Sequence, residues 1–302
     1  MGDMRGRNVL VTGSTGGIGR QTARRLAEMG ARVLLVGRDP GRAAEAAREL
    51  RRGTGAPAEA LTADVTRRTD LLELAERAAD RCDGRLHVLV NNAGAVRELR
   101  ELTEDGVEAT FAANVLAPFT LTRALLPALR ASGAGRVVNL AGGVPIGRIA
   151  LDRLQGERRY TALSHYNQTK LALMAMSRVL AERLAPEGVT VNVAYPGHAY
   201  TEMNRGLTAA AYPAPVRPAV PLLRRLMPVL YGGAALVRAS DSSVYLACDD
   251  GVAAVTGGYF DQRRRRVRWP RGTADPRVRA EVWRLCAELA PVESGPGAAA
   301  GA

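Results

Sequence analysis

The sequence predicts an α/β fold: one parallel, doubly wound sheet covered by helices on both faces, followed by a C-terminal lid segment. Three observations carry this. Short β-branched apolar runs alternate with longer stretches of helical periodicity, as expected of parallel strands buried on both faces. The alternation runs strand, helix, strand from the start, and right-handed crossovers then wind the sheet both ways. At 302 residues the chain suffices for one large core and is short for two full domains.

The elements follow in order. A strand at 8–12 (NVLVT) leads to a helix ending near 29, and one at 32–36 (RVLLV) to a helix over about 42–51. The strand at 58–63 (AEALTA) feeds a helix ending near 81, and 86–90 (LHVLV) a long helical region reaching about 131. A strand at 136–140 (RVVNL), a helix over about 164–185 and a strand at 189–194 (VTVNVA) complete the regular series. After Pro196 regularity breaks. Residues 203–231 hold five prolines among Leu, Met and Val, which reads as a mobile or lid-like segment over a substrate site. A helix near 233–247, a strand at GGYFD and a helix near 275–289 follow. The domain is thus 1–290, and 291–302 (PVESGPGAAAGA) has the composition of a disordered tail.

The net charge of +12 rests almost wholly on arginine, since Lys170 is the sole lysine among 42 basic residues. Abundant Ala, Gly, Pro and Arg point to a GC-rich genome, so the charge is largely compositional. The densest cluster, 263–271 (RRRRVRWPR), holds one aromatic, Trp269. It lacks the interleaved rings of a single-strand binder and is expected to be a solvated face or acidic-partner contact, with no nucleic acid as partner. Cys82, Cys248 and Cys286 have neither metal-ligand nor disulfide spacing, and no metal site is expected. No apolar run reaches the roughly 18–20 residues of a bilayer span, and the polar N-terminus has no signal-peptide core. The expected compartment is the cytoplasm, without a membrane partner; a membrane-surface patch on 203–231, with Arg224 and Arg225, is the rival reading of the lid segment.

Chemistry enters with the turn after the first strand, TGSTGGIG. Gly13, Gly17 and Gly19 let the backbone turn tightly, approach a pyrophosphate and aim helix N-terminal N–H groups at it. At the end of the second strand, Gly37 stands where an acid would bind ribose hydroxyls, and Arg38 follows. An arginine there suits a 2′-phosphate, favouring NADP(H) over NAD(H), with Asp39 as the competing signal. In YNQTK, Tyr166 and Lys170 share a helical face at i, i+4. An ammonium near a phenol favours the phenolate and lowers its pKa. That the chain's one lysine stands here marks it as functional.

Taken together, these motifs resemble the short-chain dehydrogenase/reductase family over residues 5 to about 290, which implies a Rossmann-type fold. TGSTGGIG matches the family's cofactor motif, implying contacts from Gly13, Ser14, Thr15, Gly17, Ile18 and Gly19. Asp64 in ADVT, with Val65, matches the adenine contact, and NNAG places Asn92, Ala93 and Gly94 at the cofactor. Asn114 in FAANV matches the active-site asparagine, and YNQTK the catalytic tyrosine and lysine. PGHAYT matches the segment at the nicotinamide, with Pro196, Gly197 and Thr201. The text GRIALDRLQGERRYTALSHYNQTKLAL and the ending VTGGYF…DPRVRAEVWRLCAEL resemble the retinol-dehydrogenase, protochlorophyllide-reductase and WW-domain-oxidoreductase branch. That branch often uses NADP(H), and some bacterial members reduce ketones of polyketide-type natural products. A homo-oligomer, dimer or tetramer, is implied as well.

One departure stands out. The family pattern V-N-x-S-S, aligned on Asn139 in VVNLAGGV, puts Ala141 and Gly142 at the serine positions, and no Ser or Thr occurs between Ala141 and Tyr160. Loss of one such donor typically costs about 10²–10³ in rate. Four accounts stay open: a water over Gly142; a substitute side chain, with His198 first and Ser164 and His165 behind it; a hydroxyl on the substrate; or non-redox proton chemistry. The expected activity is NADPH-dependent reduction of a carbonyl on an apolar, bulky small molecule. Tyr166 would then be proton donor, Lys170 its partner and Asn114 the anchor of a water relay. The alternatives are a cyclase, dehydratase or isomerase using Tyr166, and an NADP(H)-sensing binding protein.

Overall fold

Among the described residues, seven strands form one sheet in the order β3-β2-β1-β4-β5-β6-β7. They are β1 (Asn8–Thr12), β2 (Arg32–Gly37), β3 (Ala58–Thr62), β4 (Val88–Asn91), β5 (Arg136–Leu140), β6 (Thr190–Ala194) and β7 (Tyr259–Phe260). Every pairing is parallel. This computed structural model describes residues 2–143, 147–158, 160–197, 199 and 201–291. His198 and positions 292–302 of the expected tail lie outside the described residues.

Alternate side chains of each strand enter different cores, which is why the strands read as continuous apolar runs. Leu10, Leu34 and Leu89 face one core; Val9, Val11, Val33, Leu35, Val88 and Val90 face the other. Helices α1 (Gly17–Glu28) and α2 (Pro40–Thr54) supply Leu26 and Leu50 to the second core, whereas α3 (Arg68–Arg81) supplies Leu71 and Leu74 to the first. The long helical region before 131 is interrupted. It comprises α4 (Ala109–Phe111), a π-helical turn (Ala112–Leu116), α5 (Ala117–Ala124) and α6 (Leu126–Ala131). The π turn inserts a residue into the helical register, a device that recurs at functional sites, and it carries Asn114. Helix α7 (Ala162–Leu184) closes the first core.

Residues 203–231 depart from the irregular segment expected. After α8 (Glu202–Arg205) and two 3₁₀ turns, the chain forms α9 (Val220–Tyr231). Pro221 lies in the first turn, where a missing N–H has no intrahelical partner to lose. On α9 Leu222 is 62% exposed. The helix expected near 233–247 is split at Ser240 into α10 (Ala234–Ala239) and α11 (Asp241–Cys248), and α12 (Pro276–Leu289) packs on the first core. Within the arginine cluster, Asp261 accepts from the N–H groups of Arg263 and Arg265, and Trp269 stacks on Tyr259 at 5.5 Å. No helix among the described residues is long and apolar enough to cross a membrane.

β1 pairs with β2 on one side and β4 on the other, so the connections diverge from it. In such sheets the ligand crevice opens outside the carboxyl ends of the strands at this switch point.

Candidate active site

A cavity of about 770 Å³ opens there, lined by Gly13 and Thr15 after β1, Asn92 to Gly94 after β4, Leu140 to Gly143 at β5, and Pro196, Gly197, Ala199 and Thr201 after β6. Gly13 has φ +63°, and a side chain on it would run into the Ala93 backbone. That approach lets the loops after β1 and β4 meet. Ser14 and Asn92 hold the turn from below. Ser14 Oγ donates to the Val11 carbonyl and accepts from Val36 N–H, while Asn92 Nδ2 donates to the Thr12 and Gly13 carbonyls. Both side chains are therefore engaged within the protein, and Thr15, Gly17 and Ile18 face the cavity.

Helix α1 begins at Gly16, with no side-chain cap and no acid in its first turn, whereas Asp39 caps α2 by accepting from Arg42 N–H at 2.7 Å. The uncapped N–H groups of α1 and their dipole suit a pyrophosphate. Thr201, on the cavity wall, has a buried hydroxyl with no hydrogen-bond partner among the described residues. A nicotinamide dinucleotide fits these features: an anion at α1 and a polar amide at Thr201. Arg38 is exposed just after β2; Asp64 accepts from Thr66 N–H and Oγ1, and Val65 packs on the first core. None of these three lines the cavity.

Tyr166, Lys170 and Asn114 come together opposite the glycine turn. Asn114, fully buried in the π turn, accepts from Ala95 N–H and donates to the Ala95 carbonyl and to Thr169 Oγ1 at 2.9 Å. Gly94 packs directly beneath its amide oxygen and near Lys170 Nζ. Lys170 donates to the Leu140 carbonyl at 3.0 Å, and its Nζ lies 5.8 Å from the Tyr166 ring centroid. The lowered tyrosine pKa expected from sequence is not what the geometry gives. Burial, and then Tyr195, push the Tyr166 phenol upward, while burial pulls Lys170 down to about 8. The one hydrogen bond that Lys170 donates does not offset its burial, and desolvation governs both groups.

The space over Gly142 is taken. A side-chain carbon there would fall on Tyr166 Oη, well inside van der Waals contact, and 3.6 Å from Lys170 Cε. The tyrosine hydroxyl itself therefore stands where the first carbon of a serine side chain would be. Of the substitute donors, Ser164 is exposed and lines the cavity. His165 does not: it is buried, and its Nε2 lies 2.7 Å from Glu108 Oε2. Being next to Tyr166 in a helix turns it about 100° away from the tyrosine's face.

Sequence reasoning missed the group that His165 meets. Glu108 is fully buried and accepts from Thr110 N–H, Phe111 N–H, His165 and Tyr160 Oη. Burial pushes its pKa up, but His165 and the two N–H groups outweigh that and hold the carboxyl below its usual range. An acid inside the apolar run VEATFAANV was the available signal. Sequence also did not specify which residues of 203–231 face the cavity: Met203, Leu207, Tyr212, Pro213 and Met227.

Such a cradle, with tyrosine, lysine and asparagine across from it, defines a dinucleotide-dependent oxidoreductase of the Rossmann type. The profile of the short chain dehydrogenase family matches residues 7–211, and the chain belongs to that family. It is 37% identical over 288 residues to a Streptomyces sp. (strain C5) protein named as a daunorubicin C-13 ketoreductase, DnrU, covering 95% of this chain and 93% of that one. To human retinol dehydrogenase 13 it is 33% identical over 294 residues, covering 96% and 86%. These likenesses place it in the retinol dehydrogenase branch. Among solved structures, an uncharacterized protein from Mycobacterium Paratuberculosis superposes with TM-score 0.75 at 25% identity, covering 97% of this chain and 96% of that one. The RhlG/NADP complex of Pseudomonas aeruginosa gives 0.65 at 30% identity, covering 86% and 95%.

Proposed function

We propose that this oxidoreductase reduces a ketone on an apolar, bulky small molecule with NADPH, Tyr166 delivering the proton to the carbonyl oxygen. One observation carries the reading: Tyr166 and Lys170, with Asn114 buried against their helix, line a cavity whose other wall is the glycine cradle with the unpartnered Thr201 hydroxyl. The cofactor, when bound, supplies the hydride. It would be held by the α1 N-terminus, Thr201 and, through its ribose, Lys170. The Tyr166 hydroxyl holds its proton at neutral pH, as any tyrosine does and as a proton donor in reduction must, and burial raises its pKa further. Asn114, bound on both sides to Ala95 and also to Thr169, ties the loop after β4 to α7. Met203, Leu207, Tyr212 and Met227 give the substrate end an apolar wall, and residues 203–231 act as its lid. The similarity to a protein named as a ketoreductase supports a ketone over a smaller carbonyl.

The cofactor preference follows from β2. Asp39 is consumed in capping α2, leaving Arg38 as the exposed charged side chain beside Gly37. Arg38→Ala is expected to raise the KM for NADPH about ten- to hundred-fold, as for loss of a charge-assisted contact, with the KM for NADH unchanged. Equal effects on both cofactors would remove Arg38 from the 2′-phosphate.

Reaction class is tested by turnover of daunorubicin and of retinal with 4-deuterated NADPH. Deuterium at the new carbinol carbon is expected. Conversion without label or NADPH consumption would mean a cyclase, dehydratase or isomerase.

A further inference from the structure

The buried Glu108–His165 pair serves neither the cofactor nor the substrate wall, yet it stands beside the residue on which the proposed reaction turns. On α7, His165 and Thr169 are spaced i, i+4 and so share one face. Both are buried, and both are tied to the segment of α4 and the π turn. His165 meets Glu108, four of whose donors come from three segments: Thr110 and Phe111 of α4, Tyr160, and His165 itself. Thr169 accepts from Asn114 in the π turn and donates to the Tyr166 carbonyl at 2.7 Å. Tyr166 and Lys170, also i, i+4, lie on the neighbouring face, the one turned into the cavity. The tyrosine is thus bracketed by two fastenings of α7, one a residue before it and one three residues after.

We infer that Glu108, acting through His165, is a positioning residue that sets the rotation of α7 and so aims the Tyr166 hydroxyl over Gly142. Glu108 suits the task because its carboxylate caps α4 with one pair of bonds and grips α7 through His165 with another bond, so the asparagine-bearing and tyrosine-bearing segments are spaced by a single group. Tyr160 braces the histidine from the side, its ring 4.8 Å away and its one hydroxyl proton shared between the Arg97 carbonyl at 2.9 Å and Glu108 Oε1 at 3.2 Å. Tyr166 depends on the His165 fastening because position 142 gives it no side chain to rest on.

The inference rests on Tyr166 as proton donor, and its test separates the two. Replacing Glu108 risks the fold, so the His165 side is varied in the full chain. His165→Phe keeps the ring but removes the donor, and His165→Gln keeps a donor. With daunorubicin as the ketone probe, His165→Phe is expected to lower kcat about ten- to hundred-fold, the scale of a misplacement near 1 Å. NADPH affinity, read by fluorescence quenching, should not move, and His165→Gln should recover most of kcat. Crystal structures of the variants read the rotation without any substrate: Tyr166 Oη leaves Gly142 in Phe and returns in Gln. Unchanged kcat with Oη in place, Gln no better than Phe, or NADPH affinity falling alongside kcat overturns the inference. Full activity in Tyr166→Phe, or no turnover by the unaltered protein, counts instead against the proton-donor reading, and the crystallographic comparison still decides the positioning role.

Discussion

Gly142→Ala should lower kcat about 100-fold and Gly142→Ser by less, with NADPH binding unchanged. The reason is spatial. The added carbon falls on Tyr166 Oη and close to Lys170 Cε, so the tyrosine must withdraw by roughly the 1 Å that costs an oriented reaction two orders of magnitude. Alanine adds only that carbon. Serine adds a donor as well, which could return part of the loss of about 10²–10³ associated with a missing oxyanion contact. The expected order is glycine, then serine, then alanine. Steady-state kinetics on daunorubicin read it, and a serine variant faster than glycine would show that Tyr166 yields without cost.

The second large effect concerns the tyrosine and lysine together. Tyr166→Phe should lower kcat by about 10²–10⁴, the range for loss of a general acid, without unfolding the protein. Lys170→Met should also lose turnover but gain stability, by about 1–4 kcal/mol if it behaves like other buried charges replaced by apolar groups. Its folded-state pKa is drawn from 10.5 to about 8. Below about pH 8 both folded and unfolded chains hold the proton, and the fold bears the full cost of burying the ammonium. Between about pH 8 and 10.5 the unfolded chain binds the proton more tightly, so the stability of the unaltered protein rises with pH across that window. Thermal melts from pH 7 to 10 should therefore converge for the two proteins. A constant gap would mean that the charge is not what separates them.

The strands were legible because burial on both faces leaves an unbroken apolar run, and RVVNL and NVLVT fall on β5 and β1 residue for residue. Helix α9 was not, since Pro221 and Pro228 read as breakers although the first sits in a turn that tolerates it. The site's residues were legible from local spacing and family motifs: Tyr166 with Lys170 and the glycine turn on the cavity, and Asn114 buried behind it. What spacing could not disclose was contact across the chain. His165 and Glu108 are 57 residues apart, and nothing near either names the other. The same holds for the Tyr166 hydroxyl over Gly142: an absent side chain in the sequence says nothing of which neighbour moves into its volume.

Lys170 has a consequence outside the reaction. It is the chain's only lysine, it is 4% exposed, and its amine loses its proton near pH 8. Amine-selective reagents therefore find one side-chain address on the whole molecule, at the bottom of the cavity, besides the terminal amino group. Acylation at that address becomes a gauge of whether the cavity is filled, with no surface lysine to contribute background. A dinucleotide or ketone that protects it reports its own binding, even for compounds the protein never converts.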